Sequence, residues 1–281
     1  MLASTLATQG QLQDSEALLE QCREVFREEG VKWWYALSTV HLAYDYINLG
    51  KFQEGEALFQ EGFQLVEPGD LRSELPLRNG FAYFLNIKGD YDRAEQLMRD
   101  NLQLSYLFGN FRYTASALFD LGRVALATQR VELAIEYIQK SIDLLTEFGE
   151  TRNLASYQLY LGKCFAARSD FQAARAQFLQ VIKISQKFDS LSPVHWGLVC
   201  IAKTYLTEGH PEKALVISLL LKHCPTEFKK IEEEKSQLLA DLQAALPKEQ
   251  FETAMKQVDG RISPDRAEVE ALAYALELLT E

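Results

Sequence analysis

The sequence predicts an all-α fold built as a solenoid of stacked helix pairs. Three observations predict it. The segments GQLQDSEALL, GKFQEGEALF, GDYDRAEQLM, QRVELAIEYI, SDFQAARAQF and GHPEKALVIS begin at positions 10, 50, 89, 129, 169 and 209, so a self-similar unit recurs every 39 or 40 residues. Periods of this size belong to repeat architectures, in which each unit buries its apolar face only against its neighbours. Within each unit the apolar residues fall three and four apart, the helical period. Gly and Pro are sparse, 15 and 7 in 281 residues, which leaves little material for long linkers.

Each unit reads as helix A, a tight turn, then helix B. The turn opens on Gly10, Gly50, Gly89 and Gly209, with Gln129 and Ser169 in the same place in the other two units. Glycine suits a helix C-terminus because it tolerates positive φ. Two residues later stand Leu12, Phe52, Tyr91, Val131 and Phe171, and in the sixth unit Pro211, which suits the first turn of a helix. Five residues after the turn position the residue is always small: Ser15, Gly55, Ala94, Ala134, Ala174, Ala214. Seven before it the residue is small again (Ala3, Ala43, Ala82, Gly122, Gly162, Ala202), preceded by a large apolar one (Leu2, Leu42, Phe81, Leu121, Leu161, Ile201). Small residues at two fixed points let helices A and B approach closely, and the large neighbour fills the adjoining groove.

After the repeats, over 225–281, Ile231, Leu238, Leu239 and Leu242 form one stripe on a helix expected to cover the end of the array at 1–224. Ser263 and Pro264 read as the N-cap and first residue of a final helix carrying Leu272, Leu276 and Leu279.

The pattern resembles the tetratricopeptide repeat, whose LG, G and A positions are matched by Leu121-Gly122…Ala134 and Leu161-Gly162…Ala174. The usual period is about 34 residues. Forty-residue versions with links such as FGNFRYTASALFDLG and FGETRNLASYQLYLG are similar to the sensor arrays of bacterial STAND-type signalling ATPases, including regulators of the maltose type. The tail, with Gly260-Arg261 before an Ala-rich helix, resembles the closing segment of such regulators, although Pro247 stands where Gly is common. The resemblance implies a right-handed tetratricopeptide-like solenoid with C-terminal capping helices. It also implies an ATPase domain upstream in the parent protein, held inactive until something binds the array. Nothing here matches GxxxxGK[ST], and Leu2 and Ala3 already occupy mid-helix positions, so the chain is expected to be a C-terminal piece of a longer protein. A short natural protein with a degenerate first cap is the competing expectation.

The formal charge of −11 argues against a phosphate backbone as partner. No run is long and apolar enough for a membrane span, and MLASTLATQG has neither the basic start nor the apolar stretch of a signal peptide. Cys22, Cys164, Cys200 and Cys224 lack CxxC spacing and read as reduced, mostly buried thiols of a cytoplasmic protein. There is no HExxH, no GxSxG and no convincing ligand spacing, so no catalytic residue, metal or cofactor is expected. His223-Cys224 reads as a loop pair, the set His41, Tyr44 and Asp45 as a polar surface, and IEEEK at 231–235 as a solvated helix face.

By the resemblance, helix A lines the concave groove. The residue six before the turn then points into it: Tyr44, Tyr83, Arg123, Lys163 and Lys203 in successive units. Four residues earlier lie Val40, Asn79, Phe119, Leu159 and Val199, giving a partly apolar floor. Three successive cations in an acidic chain suit a ligand with an apolar body and acidic groups, such as a peptide, a protein segment or a small anionic metabolite. The plainer reading is that these are solvated side chains covering apolar neighbours. In KWWYALS, the helical phase puts Trp33 in the groove, Trp34 on the edge facing a neighbouring helix A, and Tyr35 in the core; the alternative is that both indoles only seal the link between units. The candidate contact residues are therefore Trp33, Tyr44, Tyr83, Phe119, Arg123, Lys163 and Lys203. The expected role is ligand or partner sensing; a free-standing protein-binding scaffold and a peptide-pheromone receptor are the alternatives.

Overall fold

The structure, a computed structural model, describes residues 12–150, 154–187, 191–224, 229–263 and 266–278. These residues form α-helices with no β-strand among them. The expectations placed on Leu2, Ala3, Gly10, Pro264 and Leu279 lie outside the described residues. The chain divides into two compact units, Met1–Glu150 and Thr151–Glu281.

In the first unit, α1 (Leu12–Glu28), α3 (Phe52–Leu65), α5 (Tyr91–Phe108) and α7 (Val131–Glu147) occupy helix B positions. The A positions are α2 (Lys32–Asn48), α4 (Leu71–Lys88) and α6 (Phe111–Ala127). Each A helix packs on the B helix that follows it, and α2, α4 and α6 also pack on one another in order. In the second unit, α8 (Leu154–Ala167) and α10 (Leu191–Glu208) are A helices, and α9 (Phe171–Gln186) and α11 (Pro211–Lys222) are B helices. The tail adds α12 (Lys229–Ala245), α13 (Lys248–Asp259) and α14 (Ala267–Leu278), each of which packs against α11.

The turns share one geometry. In each of the five described A-to-B turns the residue after the turn position donates its N–H back five residues: Lys51 to Tyr46, Asp90 to Leu85, Arg130 to Ala125, Asp170 to Phe165 and His210 to Tyr205, at 2.8–2.9 Å. This is the bond that closes a helix through a left-handed residue. Gly50, Gly89 and Gly209 supply the positive φ, and Gln129 (φ 61°) and Ser169 (φ 65°) adopt it with a side chain attached.

The small positions do what their spacing implies. Ala94, Ala134, Ala174 and Ala214 are fully buried. A methyl group on Gly122 would collide with Ile138, and one on Gly162 with the ring of Phe178. The second unit's core is continuous from Phe178 and Ile182 through Leu198 and Ile201 to Leu238, Leu242, Val258 and Ala271, so the tail helices share the core of the last repeat. Ile231, Leu238 and Leu242 are buried and Leu239 half-buried, which accounts for the tail stripe.

Left-handed backbone costs a non-glycine residue about 1–2 kcal/mol, partly offset by the extra chain entropy of glycine. Gln129→Gly and Ser169→Gly should each therefore stabilise their unit by about 0.5–1 kcal/mol, read as a higher melting temperature. A lower one would mean that the side chains contribute more than the backbone strain costs.

Candidate binding site

The expected contact residues fall into three groups. In the first unit, the Arg72 guanidinium lies 4.9 Å from the centroid of the Trp33 ring. Burial pushes the Tyr113 hydroxyl upward, and its neighbours Trp33 and Arg72 work against it. Trp33, Arg72 and Tyr113 sit near the N-terminal ends of α2, α4 and α6, so one small cluster ties three successive A helices.

The neighbours of Trp33 divide. Tyr35 is buried, accepts from Arg23 at 2.8 Å and donates to Glu61 at 2.9 Å. Trp34 differs from its expected place. It stacks on Phe26 of α1, ring centroids 6.0 Å apart, and keeps 48% of its surface exposed. Because α2 begins at Lys32, Trp34 lies in the first helical turn, where the preceding B helix is within reach.

Deeper in the first unit, Tyr44 meets Tyr83 edge-on at 4.9 Å, and Arg123 lies over the Tyr83 ring at 4.5 Å and the Phe119 ring at 5.8 Å. Tyr44, Tyr83, Phe119 and Arg123 are thus brought together, but as packing and not as an open wall. Phe119 is 8% exposed and Arg123 7%, and Arg123 pairs with Asp120 at 3.1 Å. The expectation of an exposed cation at this unit is corrected: the aromatic neighbours cover Arg123 and Asp120 compensates its charge. Burial lifts the Asp120 carboxyl to about 6 against the pull of Arg123. Burial, then the charge of Asp120, pushes the Tyr44 hydroxyl well above its ordinary range. The floor row is also more enclosed than expected. Val40 and Val199 are buried, and a methyl on Gly80 would strike Val40 at 2.8 Å, so this row packs helix on helix.

The second unit holds an open pocket of about 600 Å³ between α8 and α10, with one wall from α12. Lys163 and Lys203 both line it. The Lys163 ammonium lies 4.8 Å from the Tyr160 ring centroid and 5.3 Å from that of Trp196. Cation–π contacts of this kind hold a lysine without neutralising it. Lys203 pairs with Glu234 of α12, which also lines the pocket. At the floor, burial pushes the Cys200 thiol up to about 11 although both lysines pull it down, so it is neutral. Leu159 and Phe178 complete an apolar base.

Trp196, Tyr160 and Glu234 were not among the expected contact residues. Trp196 is seven residues before Lys203 and Tyr160 three before Lys163, so helical spacing alone places each aromatic on its lysine's face. Glu234 carries no such signal, since it reaches Lys203 from 31 residues away. His223 contacts Asp259 at 3.2 Å while Cys224 turns into the core, and no group of three metal-ligating side chains occurs among the described residues. No described helix is long and apolar enough to cross a membrane.

Two family models, both described as tetratricopeptide repeat, match the chain, one at residues 73–147 and 113–187 and the other at 1–29. The chain carries tetratricopeptide repeats. Such repeats form a non-catalytic scaffold and serve protein–protein interaction. No curated protein matches the chain in sequence. Among solved structures it is similar to BtubC (BKLC) from P. vanneervenii, at TM-score 0.60 and 14% identity over 84% of this chain and 94% of that one. It is also similar to a STAND protein with a tetratricopeptide repeat sensor from Pyrococcus horikoshii, at TM-score 0.63 and 13% identity over 99% of this chain and 42% of that one. At such identities these likenesses show the fold.

Two outcomes follow from the buried Asp120–Arg123 pair of the repeats. Arg123→Leu leaves a carboxylate uncompensated and should destabilise the protein by about 3–5 kcal/mol, measured by urea unfolding; a change under about 1 kcal/mol would mean that the pair is solvated. The second concerns pH. The Asp120 carboxyl is raised to about 6 in the folded protein from 3.8, so the folded state holds its proton more tightly, and this group's contribution to stability falls as pH rises from about 4 to 6. The difference in unfolding free energy between the wild type and Asp120→Asn should therefore change by on the order of 2–3 kcal/mol across that window; a flat difference would refute the raised carboxyl.

Proposed function

We propose that the chain is a partner-sensing repeat module, and that the pocket of the second unit binds a protein segment carrying a large apolar residue beside an acidic one. The observation that carries this is the Lys163 ammonium seated on Tyr160 and Trp196 above an apolar base. The aromatic walls and the base would take the apolar side chain, and the lysine would take the charge. An acidic chain that places two lysines on one pocket favours an anionic partner by local field, whatever its net charge.

In this reading the module belongs to a larger STAND-type signalling ATPase and holds it inactive until the segment binds. The similarity to the Pyrococcus horikoshii STAND protein, which takes in 99% of this chain, supports it. The mechanism is a shift of equilibrium. A segment that prefers one arrangement of the repeats moves the resting population by its difference in affinity for the two states, and by no more than that. A free-standing scaffold is the second reading, favoured by the BtubC match, in which the shared repeats make up 94% of the other chain. A parent polypeptide with a phosphate-binding loop upstream would decide for the sensor, and one without it for the scaffold.

The pocket is tested with an array of ten-residue peptides holding Phe or Leu flanked by Glu. Lys163→Glu should lower the affinity of peptides retained by the wild type at least about ten-fold, by fluorescence anisotropy, with a melting temperature within about 2 °C. Equal binding by the variant would overturn the assignment.

A further inference from the structure

The two lysines of the second unit's pocket are not equivalent. Lys203 is already paired, because Glu234 of α12 contacts its ammonium within the pocket. Lys163 rests on two ring faces, and no carboxylate among the described residues pairs with it. Among the described residues the charged side chains lining the pocket are Lys163, Lys203 and Glu234, a net charge of one positive unit centred on Lys163. The floor adds none, since Cys200 is a buried thiol whose ionisation burial disfavours. Nor is Glu234 a loose surface side chain. It projects from α12, whose Ile231, Leu238 and Leu242 are buried and which packs on both α10 and α11. The helix that carries it is therefore fixed in the core, and its carboxylate reaches the pocket through Lys203.

We propose that this pocket accepts a group with a single negative charge on an apolar body, and that Glu234 is the residue that turns away doubly charged groups. The inference rests on the reading above that the pocket binds an acidic, apolar segment, and it narrows that segment. An aspartate or glutamate beside a large apolar residue fits; the same segment carrying a phosphate monoester does not. A first negative charge is met by Lys163. A second has only Lys203 to face, and Lys203 is already neutralised. To engage it the ligand must displace Glu234 or sit beside it, and like charges in a half-enclosed pocket repel more strongly than in water. Phosphorylation of the partner would then weaken binding, the opposite of what two lysines in one pocket suggest when counted without Glu234.

The test uses two probes of matched shape, 1-naphthalenesulfonate, which carries one negative charge, and 1-naphthyl phosphate, which carries two at pH 8 because its second pKa is about 6. Binding is read from the indole N–H resonance of Trp196 in nitrogen-15-labelled full chain. Trp196→Phe picks out that signal from those of Trp33 and Trp34. The wild type should bind the sulfonate about five-fold more tightly than the phosphate ester. Glu234→Gln should tighten the phosphate ester by about five-fold and move the sulfonate by less than about two-fold. Lys203→Gln leaves the Glu234 carboxylate without its cation and should weaken the phosphate ester further. Lys163→Gln should weaken both probes. If Glu234→Gln leaves the ratio of the two affinities unchanged while Lys163→Gln still weakens both, the selectivity role is overturned and the pocket stands. If neither probe moves the Trp196 resonance, or Lys163→Gln changes nothing, the pocket reading itself fails.

Discussion

The close approach of consecutive helices at small residues is the contact on which the rest of each unit depends. Gly162 lies against the Phe178 ring and Gly122 against Ile138, with no room for a methyl group at either point. Ala94, Ala134, Ala174 and Ala214 meet the same demand from the B helices and are fully buried. A larger side chain there would push two helices apart, and in a close-packed interior the displacement passes to the next helix pair. The turns reinforce this contact. A left-handed residue and a hydrogen bond spanning five residues bring helix B back along helix A, even where the residue is Gln129 or Ser169 and not glycine.

With the backbone repeated so regularly, the differences between repeats lie in what each side chain meets. The position six before the turn shows it. Tyr44 and Tyr83 meet each other there. At the next repeat Arg123 stands over Tyr83 and is buried with Asp120. In the second unit Lys163 keeps its charge on an aromatic seat, and Lys203 gives its charge to a helix that follows the repeats. Three of these residues are cationic, yet burial and neighbours give them different physical states, from a structural ion pair to an uncompensated cation. In this way a repeat acquires a pocket through local substitution on a scaffold that does not change.

The tail shows a second use of the same economy. Its apolar stripe joins the core of the last repeat, which a stack of helix pairs needs because its terminal unit has no further neighbour to cover it. The polar face of that same helix carries the IEEEK run. Read as sequence it is a solvated face, and Glu233 is indeed exposed. Two others in the run are engaged: Lys235 is buried and donates to the Cys224 carbonyl at 2.6 Å, and the half-buried Glu234 enters the pocket.

What the sequence by itself determined was everything that repeats or has a short period. The register of Gly50, Gly89 and Gly209, the small residues at Gly122 and Gly162, the buried face of Tyr35 and the stripe of Ile231, Leu238 and Leu242 were all legible, because helical spacing and a 40-residue unit are local properties of the chain. Trp196 and Tyr160 were within the same reach, lying on the helical faces of their lysines. Only the tertiary structure decided which charges are open. It covered Arg123 with the Tyr83 ring of a neighbouring helix, turned Trp34 back toward Phe26, and brought Glu234 to Lys203 from 31 residues away. The physical reason is that periodicity fixes the direction in which a side chain points along its own helix, whereas its charge state and exposure depend on groups from other helices whose distance in sequence carries no period.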